Sequence, residues 1–234
     1  MVVHTMSDRV KHSRKLVLEM LASSVDLSTS PALQELMLEY GCRPDRYGPA
    51  SRAAHEHLPL AGHHTPPDPQ FAATVHQPVK IDNDLYVRDY SKCVLCYKCV
   101  EACGEDHQNT FAIAVAGRGF DARISTEMDV PLSDSACVYC GNCIAVCPTG
   151  ALMDKTEFEM RAQDTWNESR QAATDTICPY CGVGCTLSLH TQDGRIVKVS
   201  SPLENDITMG NLCIKGRFGW RFVQAKTGSG GSQE

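Results

Sequence analysis

Twelve of the chain's 13 cysteines fall into three groups of four, and the demands of thiol ligation constrain what this chain can fold into more than any other feature. Between residues 93 and 147 the pattern C-x2-C-x2-C-x3-C occurs twice, as C-V-L-C-Y-K-C-V-E-A-C and as C-V-Y-C-G-N-C-I-A-V-C-P. Thiols at i, i+3 and i+6 of a tight loop can face one body around which the backbone curls. A cube of iron and sulfide requires four converging thiolates. A disulfide framework would instead need an export route. Lys11, Arg14 and Lys15 do precede an apolar stretch, but Glu19 and Asp26 interrupt it and no small-residue cleavage site follows. The thiols are therefore expected to be metal ligands in a reducing compartment, and the chain is expected to be cytoplasmic.

The doubled spacing resembles that of two-cluster bacterial ferredoxins, in which the fourth cysteine of each run serves the other cluster. That resemblance implies one cluster on Cys93, Cys96, Cys99 and Cys147, and a second on Cys137, Cys140, Cys143 and Cys103. Gly104 stands after Cys103 where simple ferredoxins have proline, which leaves the ligands intact and loosens the analogy to a free ferredoxin. A third group reads C-x2-C-x3-C over Cys178, Cys181 and Cys185, with Cys213 as the fourth thiol. Alone it would suit zinc as well as iron. Beside two iron-type sets it is read as a third cluster, with Gly182 and Gly184 letting backbone approach the cube. Since no ligand is missing from any set, three [4Fe-4S] clusters are expected, and electron transfer follows as the function to test.

Composition narrows the alternatives. A net charge of −6 argues against a nucleic-acid partner, because phosphate contacts need clustered Lys and Arg. No run approaches the ~18 apolar residues of a membrane span. With 6% aromatic and 42% hydrophobic residues, small metal-held modules fit better than one broad core. The segment 195–226 runs against the acidic trend, with Arg195, Lys198, Lys215, Arg217, Arg221 and Lys226 facing only Glu204 and Asp206. It reads either as a docking face for an anion or as a solvated basic surface.

The expected fold is α+β. Residues 1–80 form a helical segment followed by a Pro- and His-rich strap. Leu16, Met20 and Leu21 share one helical face, and Leu33, Leu36, Met37 and Tyr40 share another. Ser30, Pro31 and Gly41 punctuate the second helix as cap, first turn and exit. His55, His57, His63 and His64 match no metal template, and Cys42 reads as an apolar residue at a helix end. Residues 81–156 form a ferredoxin-like core for two clusters, with a β-hairpin over 111–116 and 120–124 inserted in it. Residues 157–175 are a polar connector. Residues 176–226 form a small β-rich cluster domain, in which Gln192-Asp193-Gly194 turns a hairpin that brings Cys213 back to its three partners. Residues 227–234 are a flexible tail.

Three stretches carry a more specific resemblance: Thr149-Gly150-Ala151-Leu152-Met153-Asp154-Lys155, the run I-C-P-Y-C-G-V-G-C over 177–185, and G-N-L-C-I-K-G-R-F-G-W over 210–220. Over about residues 80–225 the chain resembles the N-terminal part of formate dehydrogenase catalytic subunits of the molybdopterin oxidoreductase family. The resemblance implies that the third cluster lies beside a molybdenum or tungsten bis-pterin carried on another domain or chain, and that Lys215 bridges cluster and pterin. It implies partners that are catalytic subunits, or redox subunits reacting with flavin, NAD or ferredoxin. A catalytic site on the chain itself is not expected. Alternatives are an N-terminal fragment of such a subunit, an electron-transfer subunit of a hydrogenase or flavoprotein complex, and an iron–sulfur sensor or scaffold.

Overall fold

A computed structural model of the chain describes residues 3–47, 78–119 and 122–224. The histidine-rich strap, Phe120 and the segment from 225 onward lie outside the described residues. Within them, helices alternate with small antiparallel sheets: α1 (Asp8–Ser24), α2 (Pro31–Glu39), β1 (Tyr86–Arg88), α3 (Lys98–Cys103), β2 (Ala114–Ala116), β3 (Arg123–Ser125), α4 (Asn142–Ala145), β4 (Leu152–Asp154), α5 (Lys155–Ala162), β5 (Gln171–Ile177), β6 (Thr186–Gln192), β7 (Arg195–Ser200), α6 (Ile214–Phe218) and α7 (Arg221–Gln224).

The first cysteine loop begins just after β1, and the second ends just before β4. These two strands pair antiparallel, Val87 opposite Met153, so the two ends of the cysteine region are pinned together. Between the loops β2 pairs with β3, Val115 opposite Ile124. Tyr86, Tyr90, Ile113, Ile124, Leu132, Leu152 and Phe218 form the core here, and five cysteines pack against it from its edge. The third sheet runs β5-β6-β7. Gln192 pairs with Arg195 across a two-residue turn in which Asp193 and Gly194 both have positive φ, the geometry that matches the twist of paired strands. Leu187, Val197 and Val199 point inward from it and are buried. β5 is exposed over most of its length, so its polar sequence carries no strand alternation, and its existence depends on the ladder it makes with β6.

The N-terminal helices dock against the first cysteine loop. α1 buries Leu18, Glu19, Ala22 and Ser23 rather than the Leu16, Met20 and Leu21 stripe, and Met20 is half exposed. The helix is rotated because Glu19 is drawn inward: the Arg43 N–H donates to it at 2.9 Å and Arg46 at 2.7 Å. The Arg43 bond, opposed by burial and aided by Arg46, holds its carboxyl below the usual range. Of the expected stripe Leu33, Met37 and Tyr40 pack in the α1 cluster, joined by Cys42, whereas Leu36 is exposed. Ser30 does occupy the position before α2, but its side chain makes no cap. Its hydroxyl donates to the Pro148 carbonyl at 2.6 Å, beside an equal bond from Thr29 to the Thr149 carbonyl. The Cβ of any other residue at Gly150 would lie 2.9 Å from the Thr29 hydroxyl, which leaves that close approach to glycine.

Asp26 completes the docking by pairing with Lys92, both buried. Burial opposes ionisation of Asp26, yet Lys92 and Ser28 outweigh it and hold the carboxyl below its usual range. A carboxyl with a lowered folded pKa contributes stability that is fully present above its unfolded value of about 3.9 and is lost as pH falls below it. Docking of α1 and α2 is therefore expected to weaken as pH falls below about 4. D26N strands the buried Lys92 ammonium and is expected to cost about 3–5 kcal/mol, seen as loss of hydrogen-exchange protection in α1 at neutral pH; unchanged protection would show that the pair does not hold the helices.

Candidate iron–sulfur centres

The two cysteine loops share a backbone design. In the first, Leu95 and Tyr97 stand in the left-handed region at φ 52° and 63°. In the second, Tyr139 and Gly141 take the same offsets from the first cysteine at φ 55° and 72°. Left-handed residues cost roughly 1–2 kcal/mol each without glycine, and they persist where surroundings over-determine them. Here they curl the chain so that the Leu95 N–H points to Cys93 Sγ and the Tyr139 N–H to Cys137 Sγ, each at 3.4 Å. Each loop then runs into a short helix, α3 or α4, which carries the third cysteine.

Two cavities lie between these loops. One is lined by Cys93, Cys96, Cys99 and Cys147. The other is lined by Cys137, Cys140, Cys143 and Cys103. Each cavity thus takes three thiols from its own loop and one from the other. Among the described residues no three Cys, His, Asp or Glu side chains converge as closely as a single metal ion requires, whereas a cube holds its four thiolates further apart.

The electrostatics of the cavities suit a cationic core. Burial, followed by the charges of Cys147, Cys93 and Cys96, pushes the Cys99 thiol up to about 12. Cys93 is pushed up to about 11, chiefly by burial. Cys143 is driven well above its ordinary value by burial and by Cys140. Ionising all four thiols of a set is therefore unfavourable unless positive charge lies among them, as the iron of a cluster would supply.

The third group is built differently. Cys178 lies at the end of β5, Cys185 just before β6, and Cys213 at the start of α6, with the Cys178 N–H donating to the Cys185 carbonyl at 2.8 Å. Burial and then the charges of Cys178, Cys181 and Cys213 raise the Cys185 thiol, so these four also share one neighbourhood. Cys181 and Cys213 are exposed, and Ile177, Val183 and Ile214 around them are exposed apolar residues. Lys215 is exposed beside Cys213. Gly184 has φ +66°, which favours glycine, whereas a Cβ at Gly182 would meet open space among the described residues.

Three of the six basic residues of the segment serve internal contacts, while Arg195 and Lys215 are exposed. Lys198 pairs with Glu157 at 2.9 Å, and Arg221 donates to the Asp84 carbonyl at 2.8 Å. Arg217, 4% exposed, reaches into the second loop, where Nε donates to the Cys140 carbonyl at 2.9 Å and an Nη to Asn142 Oδ1 at 3.1 Å. Asn142 also accepts from the Leu212 N–H at 3.0 Å, and Phe218 stacks on Tyr86 with ring centroids 6.1 Å apart. The stretch carrying Cys213 is thereby seated on the second cavity. Sequence reasoning counted Arg217 only within a basic segment read as an anion-docking or solvated face, and passed over Asn142, whose one signal was its place next to Cys143.

Paired thiol-lined cavities joined to a third thiol group define an iron–sulfur electron-transfer module. Residues 92–151 match the 4Fe-4S dicluster domain, and residues 171–225 match the molybdopterin oxidoreductase Fe4S4 domain. The two stretches thus match iron–sulfur domains, the second of the kind found in molybdopterin oxidoreductases. It is similar to an NADH-quinone oxidoreductase component of Rhizobium meliloti (strain 1021), 27% identical over 97% of this chain and 24% of that protein. NADPH-Fe(3+) oxidoreductase subunit alpha of Geobacter sulfurreducens is 37% identical over 63% of this chain and 16% of that protein. A formate dehydrogenase-like protein of Staphylococcus haemolyticus, SH0748, is 29% identical over 60% of this chain and 18% of its own length. The chain spans about a quarter or less of the length of each of these relatives.

The close approach of Gly141 to Arg217 gives a test of the seating. A Cβ at Gly141 would lie 2.3 Å from Arg217 Cδ on a backbone with φ +72°. G141A is expected to lower folding stability by at least about 2 kcal/mol in denaturant unfolding of the iron-loaded protein. An unchanged midpoint would show that Arg217 does not need this close approach.

Proposed function

We propose that the chain carries three [4Fe-4S] clusters, on Cys93, Cys96, Cys99 and Cys147, on Cys137, Cys140, Cys143 and Cys103, and on Cys178, Cys181, Cys185 and Cys213. It relays electrons between a redox partner and a catalytic centre. The observation that carries this reading is the crossed lining of the two cavities, each drawing three thiols from one loop and the fourth from the other. When bound, the clusters supply one-electron carriers. The polypeptide keeps seven of the eight thiols of the first two sites at least partly buried, donates hydrogen bonds to their sulfurs and fixes their spacing.

The order of the relay follows from what each site touches. The first site borders the docked N-terminal helices, since Val94 packs against the α1–α2 cluster. The second contacts the stretch bearing Cys213 through Asn142 and Arg217. The third opens to the surface among apolar side chains. In this reading residues 81–156 are the two-cluster ferredoxin-like domain with the β2–β3 hairpin inserted, residues 157–175 are the connector, and residues 176–226 are the third-cluster domain. The exposed third site faces a molybdenum or tungsten bis-pterin on another domain or chain, with Lys215 between cluster and pterin. The names of the relatives, which refer to NADH-quinone and NADPH-Fe(3+) oxidoreductases, favour a nicotinamide-linked protein as the other partner.

After anaerobic purification the chain is expected to hold about twelve irons, four for each of three clusters. C140A is expected to lose about four of them and to weaken the neighbouring cluster, because the loops are interlocked. About four irons or fewer, with stoichiometric zinc, would defeat the assignment.

A further inference from the structure

The first and second cavities are close counterparts in backbone but not in the polar groups around their sulfurs. At the first, Cys93 Sγ receives the Leu95 N–H, and the nearest hydroxyl contact is a long one, Thr149 to Cys147 at 3.9 Å. At the second, Cys137 Sγ meets both the Tyr139 N–H and the Tyr86 hydroxyl, the latter at 3.1 Å, and Cys103 Sγ lies 3.4 Å from the Thr110 hydroxyl. Tyr86 is 1% exposed and is held by stacking on Phe218. A ligating thiolate carries no proton, so across this contact the hydroxyl is the donor and the sulfur the acceptor.

Charge is distributed with the same asymmetry. Lys92, next to the first site, is spent on Asp26. Among the described residues Arg217, at the second site, bonds only neutral oxygens, those of Cys140 and Asn142. A buried guanidinium without a carboxylate partner is costly unless another anion faces it. A cluster held by four thiolates is such an anion, and its negative charge grows by one on reduction. Hydrogen bonds to sulfur and a nearby positive charge both favour the reduced form.

Resting on the three-cluster reading above, we propose that Tyr86 and Arg217 are tuning residues that raise the reduction potential of the second cluster. Arg217 lies on the stretch that follows Cys213, so seating that stretch also sets the potential of the cluster it sits on. The junction of the relay thereby becomes the favoured place for an arriving electron. Tyr90 lines the first cavity, and its buried hydroxyl finds no hydrogen-bond partner among the described residues. A donor of that kind would act on the first cluster alone.

The test is a potentiometric titration of the full chain, loaded anaerobically, followed by the paramagnetic signals of its reduced clusters. Y86F keeps the ring and its stacking and removes only the donor. It is expected to shift one cluster to more negative potential, so that the reduced fraction of that cluster at a fixed poise falls several-fold, with iron content unchanged. T110V is expected to shift the same cluster in the same direction, and it carries the test if Y86F fails to fold. Y90F is expected to leave that cluster where it was. Unmoved potentials in a fully iron-loaded Y86F protein overturn the proposal, as do a shift to more positive values and shifts of different clusters by Y86F and T110V. A wild-type chain that binds no iron overturns the three-cluster reading itself, a result distinct from any of these.

Discussion

Four thiols drawn from two loops around each cavity form the constraint on which this structure rests. Neither loop can complete a site alone, so occupation of one site orders the backbone of the other. β1 and β4 are only three residues long, too short to be stable in isolation. The apolar core between them is small, with cysteines completing its edge. Ligation therefore takes the place that a larger hydrophobic core holds in other domains of this size. The left-handed residues at matched offsets in the two loops show the same dependence, because unfavourable backbone is tolerated only where something fixes it.

The second cavity has a further duty. Asn142 stands between two cysteine ligands of its loop and accepts hydrogen bonds from both Leu212 and Arg217. One side-chain oxygen thus ties the second thiol set to the segment that bears the last thiol of the third. The stacking of Phe218 on Tyr86 repeats the connection on the apolar side. Rigid contact of this kind holds the second and third thiol sets at one distance, which a relay through them would require and a flexible linker would not provide. The charge counted along 195–226 follows the same economy: Lys198, Arg217 and Arg221 all serve internal contacts.

What could be read from the sequence was whatever short-range chemistry dictates. Cysteine spacing placed the thiols at i, i+3 and i+6, and the alternation of Leu187, Val197 and Val199 with the Asp193-Gly194 turn marked β6 and β7. Other features depend on partners distant in the chain. Ser30 has the identity of a helix cap, but its hydroxyl is claimed by the Pro148 carbonyl, 118 positions away. The inward stripe of α1 is set by Glu19 meeting Arg43 and Arg46, which helical periodicity cannot foresee. β5 is polar and exposed, so only its ladder with β6 reveals it. Arg217 looked like one basic residue among six, because a charge whose counter-ion is a ligand set carries no pattern of its own.

The three sites differ in how they meet solvent, and that difference bears on direction. Tyr86, Tyr90 and Leu152 close the first two cavities from within, where Cys96 is the one exposed thiol. At the third, two of four thiols are exposed and the surrounding side chains are apolar. A charged carrier surrounded by exposed apolar surface is a poor end state in water, since that surface gains from being covered. Covering it with another protein surface would withdraw solvent from the carrier and bring a partner's redox group within reach in one step. The exposed Lys215 beside Cys213 would then be enclosed with it, a positive charge held at the edge of the third thiol group.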